Sequence, residues 1–170
     1  MTSMVPGIAI SGIKLSAEMT QITVMSPRDG GQLLRLMAEH RINVQFLSAG
    51  LLNEGMIGSY CIPATEHKKA VAIIMPHEAL NRRLRWIHAV GAVTVFPHRS
   101  RLHLIGLILQ EVGRAGLPLY SLATSLSTIT FTTAFARIED VVSTLCRHVA
   151  LPDNHAPFHP EFRIDGRERA

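Results

Sequence analysis

An internal repeat constrains the fold of this 170-residue chain more than any other feature of its sequence. The β-branched run at 22–24 (ITV) aligns with a second run at 93–95 (VTV), at an offset of 71 residues. Residues 36–50 align with residues 111–125 at an offset of 75, so the second copy has four additional residues in between. The insertion falls in the turn before the first helix of the copy, where added residues are well tolerated. The sequence therefore predicts two copies of one structural unit.

Each copy has the same order of predicted elements: strand, helix, strand, strand, helix. Short β-branched runs predict the strands, and apolar residues at helical spacing predict the helices. In the first copy, Leu33, Leu36 and Met37 mark the apolar face of the first helix, and Thr65 is expected to cap the second helix. The strands are expected at about 20–25, 44–49 and 56–62 in the first copy and at about 92–96, 119–124 and 128–133 in the second.

This order lacks one strand of the split βαβ, ferredoxin-like fold. Residues 84–87 can supply the missing strand in the first copy, whereas the proline-broken segment after the last helix of the second copy offers none. A strand-like segment at 7–13 precedes the first copy and is predicted to complete the second. The predicted fold class is α+β, with two ferredoxin-like βαββαβ units. The first unit is expected to span 15–90, the second to span 91–150 together with a strand at 7–14, and residues 151–170 to form a flexible tail.

The composition is that of a folded protein, because 47% of the residues are apolar and only 18% are charged. No apolar run approaches the length of a membrane span, so none is predicted. The N-terminus lacks the basic start and apolar stretch of a signal peptide, and the cytoplasm is the expected location. Cys61 and Cys146 match no metal-ligand spacing and are expected to be small buried residues.

The distribution of charged and metal-ligating residues disfavours several classes of function. The net charge is +4, but only Arg82, Arg83 and Arg85 form a tight basic group, whereas nucleic-acid-binding proteins usually concentrate basic residues on one face. The nine histidines include no i, i+4 helical pair with a third ligand in sight. Serine, histidine and aspartate residues match no nucleophile motif. We therefore predict no catalytic residues, no metal, no cofactor, no nucleic-acid partner and no membrane partner.

The turn before the first helix contains two adjacent glycines and is the candidate ligand site. A phosphate-binding P-loop would need a lysine and a hydroxyl residue after them, but Gln32 and Leu33 follow. Glycines at a helix N-terminus suit a carboxylate, so an amino acid fits, and Asp29 could meet its ammonium group. A second interpretation stays open, in which Gly30 and Gly31 only form the turn and Asp29 only caps the helix. The candidate ligand-binding residues of the first unit are Ser26, Asp29, Gly30, Gly31, Asn43, Val44 and Gln45.

The second copy has a matching turn with its own candidate residues. His98, Arg99 and Ser100 offer hydrogen-bond donors for a carboxylate, and Leu119, Tyr120 and Ser121 are expected opposite them. A solvent-exposed basic loop is the alternative interpretation of this turn.

The order and spacing of these segments resemble the tandem ACT regulatory region at the C-terminus of aspartokinases. The resemblance covers about residues 7–150 and rests on the segments 11–24, 26–50, 92–125 and 136–149. It implies that an N-terminal strand completes the second ACT unit and that an amino acid binds between units at the glycine turn. The kinase domain that precedes this region in aspartokinases has no counterpart in these residues, so the resemblance implies no enzyme activity.

Three departures from the family pattern concern the ligand site. Residues 27–31 (PRDGG) stand where the family usually has Pro-Asp-x-Pro-Gly. Ile105 stands in place of a proline, and residues 124–126 (TSL) lack the acidic residue that the family often has there. The missing acidic residue at 124–126 disfavours ligand binding by the second unit.

Two functional hypotheses from different classes follow. In the first, the chain is a stand-alone regulatory protein that binds an amino acid and regulates amino-acid metabolism through association, with a metabolic enzyme as a candidate partner. In the second, it is a ligand-free interaction module that acts as a regulatory subunit or scaffold. A homodimer is expected in both cases, because the exposed edge of such a sheet favours pairing. The resemblance suggests lysine or threonine as effector, while methionine and a branched-chain amino acid stay open, as does the origin of the chain as a fragment of an aspartokinase.

Overall fold

A computed structural model describes residues 7–52, 55–96 and 102–153 of the chain. The chain divides into two compact units. We call Glu18–Val90 the continuous unit, and Met1–Ala17 together with Gly91–Ala170 the composite unit. Over the described residues, no helix has both the length and the apolar character needed to cross a membrane.

The described elements include those predicted for two repeats, in the predicted order, but the strands predicted at 84–87 and 92–96 form one continuous strand. In chain order they are β1 (Ile8–Ala9), β2 (Gly12–Leu15), β3 (Met19–Val24), α1 (Pro27–Glu39), β4 (Phe46–Leu52), β5 (Gly55–Pro63), α2 (His67–Ile74), α3 (Glu78–Asn81), β6 (Leu84–Phe96), α4 (Leu102–Arg114), β7 (Ser121–Thr124), β8 (Ile129–Ala134), α5 (Ile138–Cys146) and β9 (Val149–Ala150). Short 3-10 turns, Ala64–Glu66 and Phe135–Arg137, lead into α2 and α5.

The continuous unit is an antiparallel sheet in the order β4-β5-β3-β6. Because successive side chains of a strand point to opposite faces, Ile22 and Val24 of β3 share the face that packs against the helices. Helix α1 contributes the apolar face that its sequence predicts, with Leu33, Leu36 and Met37 all buried. The buried cluster of this unit contains Ile22, Val24, Leu33, Leu36, Met37, Ile42, Tyr60, Ile62, Ala70, Ile74 and Leu80.

The composite unit is completed by the N-terminal segment, as predicted. Strand β2 pairs antiparallel with the second part of β6, from Gly12 opposite Phe96 to Leu15 opposite Val93. Strand β8 is a further neighbour of β6, and β7 pairs with β8. The buried cluster of this unit contains Ile10, Ile13, Leu15, Val93, Val95, Leu104, Ile108, Val112, Leu117, Ile129, Phe131, Ile138, Val141, Val142, Leu145 and Val149. The predicted α+β class with exchange of the N-terminal strand is therefore confirmed.

The structure corrects three local predictions. Thr65 does not cap α2, because a 3-10 turn precedes the helix and Glu66 is its N-cap residue, with no side-chain bond. The four-residue helix α3 is absent from the prediction. Strand β9 follows α5 and pairs parallel with β1, where the sequence predicted no strand. Both elements are too short to produce a hydrophobic period. The predicted tail lies outside the described residues from position 154 onward.

Candidate functional site

The candidate site of the continuous unit lies at the start of α1. Ser26 is the N-cap residue: its backbone is extended, and its hydroxyl oxygen accepts from the Asp29 N–H at 3.5 Å. Proline at position 27 starts the helix, where its missing N–H removes no intrahelical bond. Capping, which one interpretation of the sequence assigned to Asp29, is performed by Ser26.

Gly30 and Gly31 lie inside α1, and not in the turn before it. The Gly30 N–H donates to the Ser26 carbonyl oxygen at 3.0 Å, which is an ordinary helical i→i−4 bond. Gly31 is exposed, and a Cβ atom placed on it would contact nothing within 4 Å. Both interpretations of the sequence placed these two glycines in the turn, and that placement is wrong. Packing within the unit does not require glycine at position 31.

Asp29 is buried and has a cationic partner. The residue is 2% exposed, and its Oδ1 accepts from Nη2 of Arg83 at 2.9 Å. Arg83 precedes β6, and its side chain is 56% exposed, so the ion pair joins the start of α1 to the connection between α3 and β6. A ligand ammonium group that binds Asp29 must therefore share this carboxylate with the Arg83 guanidinium.

Asn43, Val44 and Gln45 lie at the other end of the same sheet from Ser26. The Gln45 N–H donates to the Cys61 carbonyl oxygen at 2.8 Å, and Cys61 stands opposite Gln21 near the start of β3. Ser26 comes five residues after Gln21, which corresponds to roughly 15 Å along an extended strand. The side chains of Asn43 and Gln45 are exposed, whereas Val44 packs against the core. One unit by itself therefore does not bring these two groups of candidate residues together.

The candidate residues of the composite unit are only partly described. His98, Arg99 and Ser100 lie outside the described residues. Leu119 packs against the core of the unit, and the Tyr120 N–H donates to the Thr132 carbonyl oxygen at 2.9 Å. Ser121 opens β7, with its hydroxyl 2.6 Å from the Thr132 hydroxyl. The predicted arrangement of these residues around a ligand stays a prediction.

A buried polar group on β3 and β5 escaped the sequence prediction. The Gln21 side-chain amide donates to the Ser59 hydroxyl at 3.2 Å, and the Cys61 thiol donates to the Gln21 amide oxygen at 3.8 Å. Burial raises the pKa of the Cys61 thiol to about 12, so this thiol stays protonated and unreactive at neutral pH. The alternation of β-branched residues in β3 predicts the strand, but it does not predict that Gln21 is 1% exposed. Cys146 is exposed, contrary to prediction.

The arrangement of the elements defines the fold. Two ferredoxin-like repeats, of which the second is completed by the strand that precedes the first, form a fold shared with solved aspartokinase subunits. No protein-family model and no curated protein matches the chain.

Among solved structures, subunits and regulatory parts of aspartokinases share this fold. Aspartokinase alpha and beta subunits match at a TM-score of 0.70 and 17% identity, over 82% of this chain and 97% of theirs. The ligand-free regulatory subunit of aspartate kinase from Thermus thermophilus matches at a TM-score of 0.70 and 15% identity, and the match covers 83% of this chain and 99% of that subunit. Aspartokinase III of E. coli in complex with lysine and aspartate matches at a TM-score of 0.59 and 14% identity, and the match covers 82% of this chain and 33% of that enzyme. The predicted resemblance is thus confirmed at the level of fold.

Proposed function

We propose that the chain is a stand-alone ACT-type regulatory protein that binds an amino acid between ACT units and regulates amino-acid metabolism through association. The observation that supports this most directly is the extent of the likeness, because the chain covers nearly the whole length of separate aspartokinase regulatory subunits. An amino-acid effector is supported by the related fold in aspartokinase III, which was solved with lysine and aspartate.

The positions of the candidate residues favour a ligand held by more than one unit. Within the continuous unit, Ser26 and Asp29 lie beyond the end of β3, whereas Asn43 and Gln45 lie near its start. A single amino acid is too small to span roughly 15 Å of strand. In a homodimer, the residues near the start of β3 in one protomer can meet the residues beyond the end of β3 in its partner. A ligand bound by both groups would then stabilise the dimer. A metabolic enzyme is the partner class that such a regulator would control.

Arg83 is part of the proposed site, although sequence reasoning did not select it. Its guanidinium is anchored to Asp29 through one bond of 2.9 Å and is more than half exposed. A guanidinium has five N–H donors, so it can hold Asp29 and still meet a ligand carboxylate near the start of α1. In this proposal Asp29 orients Arg83, and the ligand carboxylate binds to Arg83 and the helix start.

A thermal-shift panel of the twenty amino acids tests the proposal. A ligand at 100 times its dissociation constant should stabilise the fold by about 2.7 kcal/mol, whereas a non-ligand should leave the melting temperature unchanged. Gln45→Ala should reduce the shift, and Gln110→Ala, which removes an exposed glutamine from α4, should not. The apparent mass with and without the stabilising amino acid reports the association. No shift from any amino acid would contradict the proposal.

An interaction module without a ligand is the alternative. The occupied carboxylate of Asp29 favours it, because the group predicted to meet a ligand ammonium already pairs with Arg83. The absence of an acidic residue at 124–126 favours it as well. A flat thermal-shift panel on a well-folded dimer would support this alternative and direct attention to protein partners.

A further inference from the structure

Two histidines of the continuous unit face each other beside the single tryptophan of the chain. His67 is the first residue of α2, and His88 lies in β6. Their ring centres are 4.6 Å apart with the ring planes at 88°, and the Trp86 ring lies 5.4 Å from His67. Neither histidine was selected from the sequence, because they are 21 residues apart and share no motif spacing.

The repeat shows that the fold itself does not need a histidine at position 67. The structural counterpart of His67 is Ile138, because each of the two residues opens a helix directly after a 3-10 turn. Ile138 is 5% exposed and belongs to the apolar core of the composite unit. An aliphatic side chain therefore satisfies this position in one repeat, and the imidazole of the other repeat calls for a different explanation.

His67 has a nitrogen without a partner among the described residues. Its Nδ1 atom is buried and makes no hydrogen bond. An unsatisfied buried polar atom costs about 1–3 kcal/mol, which an aliphatic residue would avoid. Desolvation, and then the charge of His88, lower the pKa of His67.

His88 is presented to His67 by an irregularity of the strand. Gln21 pairs with Ile87 and Met19 pairs with Val90, so His88 and Ala89 together stand opposite a single residue of β3. This is the pattern of a β-bulge, which redirects side chains and recurs beside functional sites. Ala89 has a φ of 50°, a left-handed conformation that costs a non-glycine residue about 1–2 kcal/mol. Strain and an unsatisfied nitrogen thus occur at the same place.

We propose that His67 and His88 form a binding site for a divalent transition-metal ion. Two imidazole nitrogens bound in cis at about 2.1 Å from one ion place their ring centres about 4.5–5 Å apart, which matches the observed separation. The χ2 torsion of histidine is broad, so a rotation of each ring can direct a nitrogen towards the ion. No group of three or more metal-ligating side chains occurs within the described parts of the chain, so the proposed site has the two imidazoles as its protein ligands.

The ligand type determines which ions the site selects. Imidazole nitrogen suits copper, nickel and zinc, whereas magnesium and calcium prefer oxygen ligands. For a site of this kind, the affinity increases from Co²⁺ through Ni²⁺ to Cu²⁺, and Zn²⁺ binds more weakly than Cu²⁺. The site does not depend on the proposed amino-acid function, because it uses none of the residues assigned to that function.

Trp86 makes the proposal directly testable in the full chain, because it is the only tryptophan. Copper(II) added to the protein in a chelator-free buffer should quench its fluorescence with saturation at one equivalent. Zn²⁺ should restore the fluorescence by competition, whereas Mg²⁺ should have no effect. His67→Gln and His88→Gln should each weaken the quenching transition at least 10-fold in apparent affinity.

Two exposed histidines provide matched controls. His40→Gln and His103→Gln remove imidazoles that belong neither to the pair nor to its strand, and both variants should keep the affinity of the unchanged protein. A Zn²⁺-dependent rise in melting temperature, lost in the His67 and His88 variants alone, is the second readout. Equal quenching in the unchanged protein and in both pair variants would overturn the proposal, as would equal loss in the control variants.

Discussion

Asp29 and Arg83 are 54 residues apart in the chain, yet they form a 2.9 Å ion pair at the start of α1. The sequence identifies Asp29 as a residue near a helix start, because an acidic residue is common in a first turn. It contains no signal for the partner, since Arg82, Arg83 and Arg85 are equivalent as sequence letters. The structure distinguishes them: Arg82 pairs with exposed Glu78 on the surface, and Arg83 pairs with a carboxylate that is 3% exposed.

The two neighbouring arginines should therefore respond differently to substitution. Arg83→Ala leaves a buried carboxylate without its partner and should lower the free energy of unfolding by about 1–3 kcal/mol. Arg82→Ala removes an exposed ion pair and should change it by less than about 0.5 kcal/mol. Urea unfolding monitored by the fluorescence of Trp86 measures both. Equal effects of the two variants would show that the Asp29–Arg83 pair contributes nothing beyond a surface contact.

At the scale of elements, helices α1 and α4 end in the same way. In α4 the Leu117 N–H donates to the Val112 carbonyl oxygen, and the Gly116 N–H donates to the Gly113 carbonyl oxygen. In α1 the Ile42 N–H donates to the Met37 carbonyl oxygen, and the Arg41 N–H donates to the Ala38 carbonyl oxygen. This is the Schellman motif, whose left-handed position favours glycine. That position is occupied by Gly116 with a φ of 61° in α4, and by Arg41 with a φ of 54° in α1.

Exchange of residue types at this position should have opposite effects in the two helices. Arg41→Gly relieves a left-handed arginine and should raise the free energy of unfolding by about 1 kcal/mol. Gly116→Ala imposes the same strain on α4 and should lower it by about 1–2 kcal/mol.

A glycine substituted inside the helix is the control. Arg35→Gly, on an exposed position of α1, should lower the free energy of unfolding by about 1 kcal/mol, because glycine is a poor helix former. If Arg41→Gly destabilised the protein as much as Arg35→Gly does, the Schellman ending of α1 would not store the expected strain. Urea titration of all three variants provides the comparison.

At the scale of the whole molecule, the N-terminal segment belongs to the composite unit and not to the repeat that follows it in sequence. Strand β2 pairs with residues 93–96 and buries Ile13 and Leu15 in the composite core. The exchange could be predicted because the second repeat has no final strand in its own sequence, and the strand-like segment at 7–13 was unassigned. The pairing of β9 with β1 could not be predicted, because strands of two residues are too short to show a periodic pattern.

Removal of the first 16 residues should therefore affect mainly the composite unit. The truncation exposes an edge of β6 and removes Ile10, Ile13 and Leu15 from the core, so amides of β8 and α5 should exchange much faster with deuterium. Amides of β3 and β5 should keep their protection. Ile13→Ala, a milder change at a side chain that is 1% exposed, should cost about 2–5 kcal/mol in the same unit. Preferential loss of protection in β3 and β5 would contradict the assignment of this strand.

The candidate site was only partly predictable. Ser26 and Gly31 were selected because of their place between a strand and a helix, and both lie at the start of α1. The helix begins before the glycines, because Ser26 caps it and proline starts it, whereas the glycines had suggested a turn. The separation of Asn43 from Ser26 by most of the length of a strand follows from the register of β3 with β5, which the sequence does not encode locally.

The sequence by itself determined the kind and order of the main elements and the exchange of the N-terminal strand. These features follow from hydrophobic periodicity and from the repeat, both of which can be read directly from the order of the residues. Only the tertiary structure decided that Asp29 pairs with Arg83, that Gln21 is buried, and that His67 meets His88. Each of these contacts joins side chains far apart in the chain, and its formation depends on strand register, a β-bulge or helix placement, which are set by the packing of the folded chain as a whole.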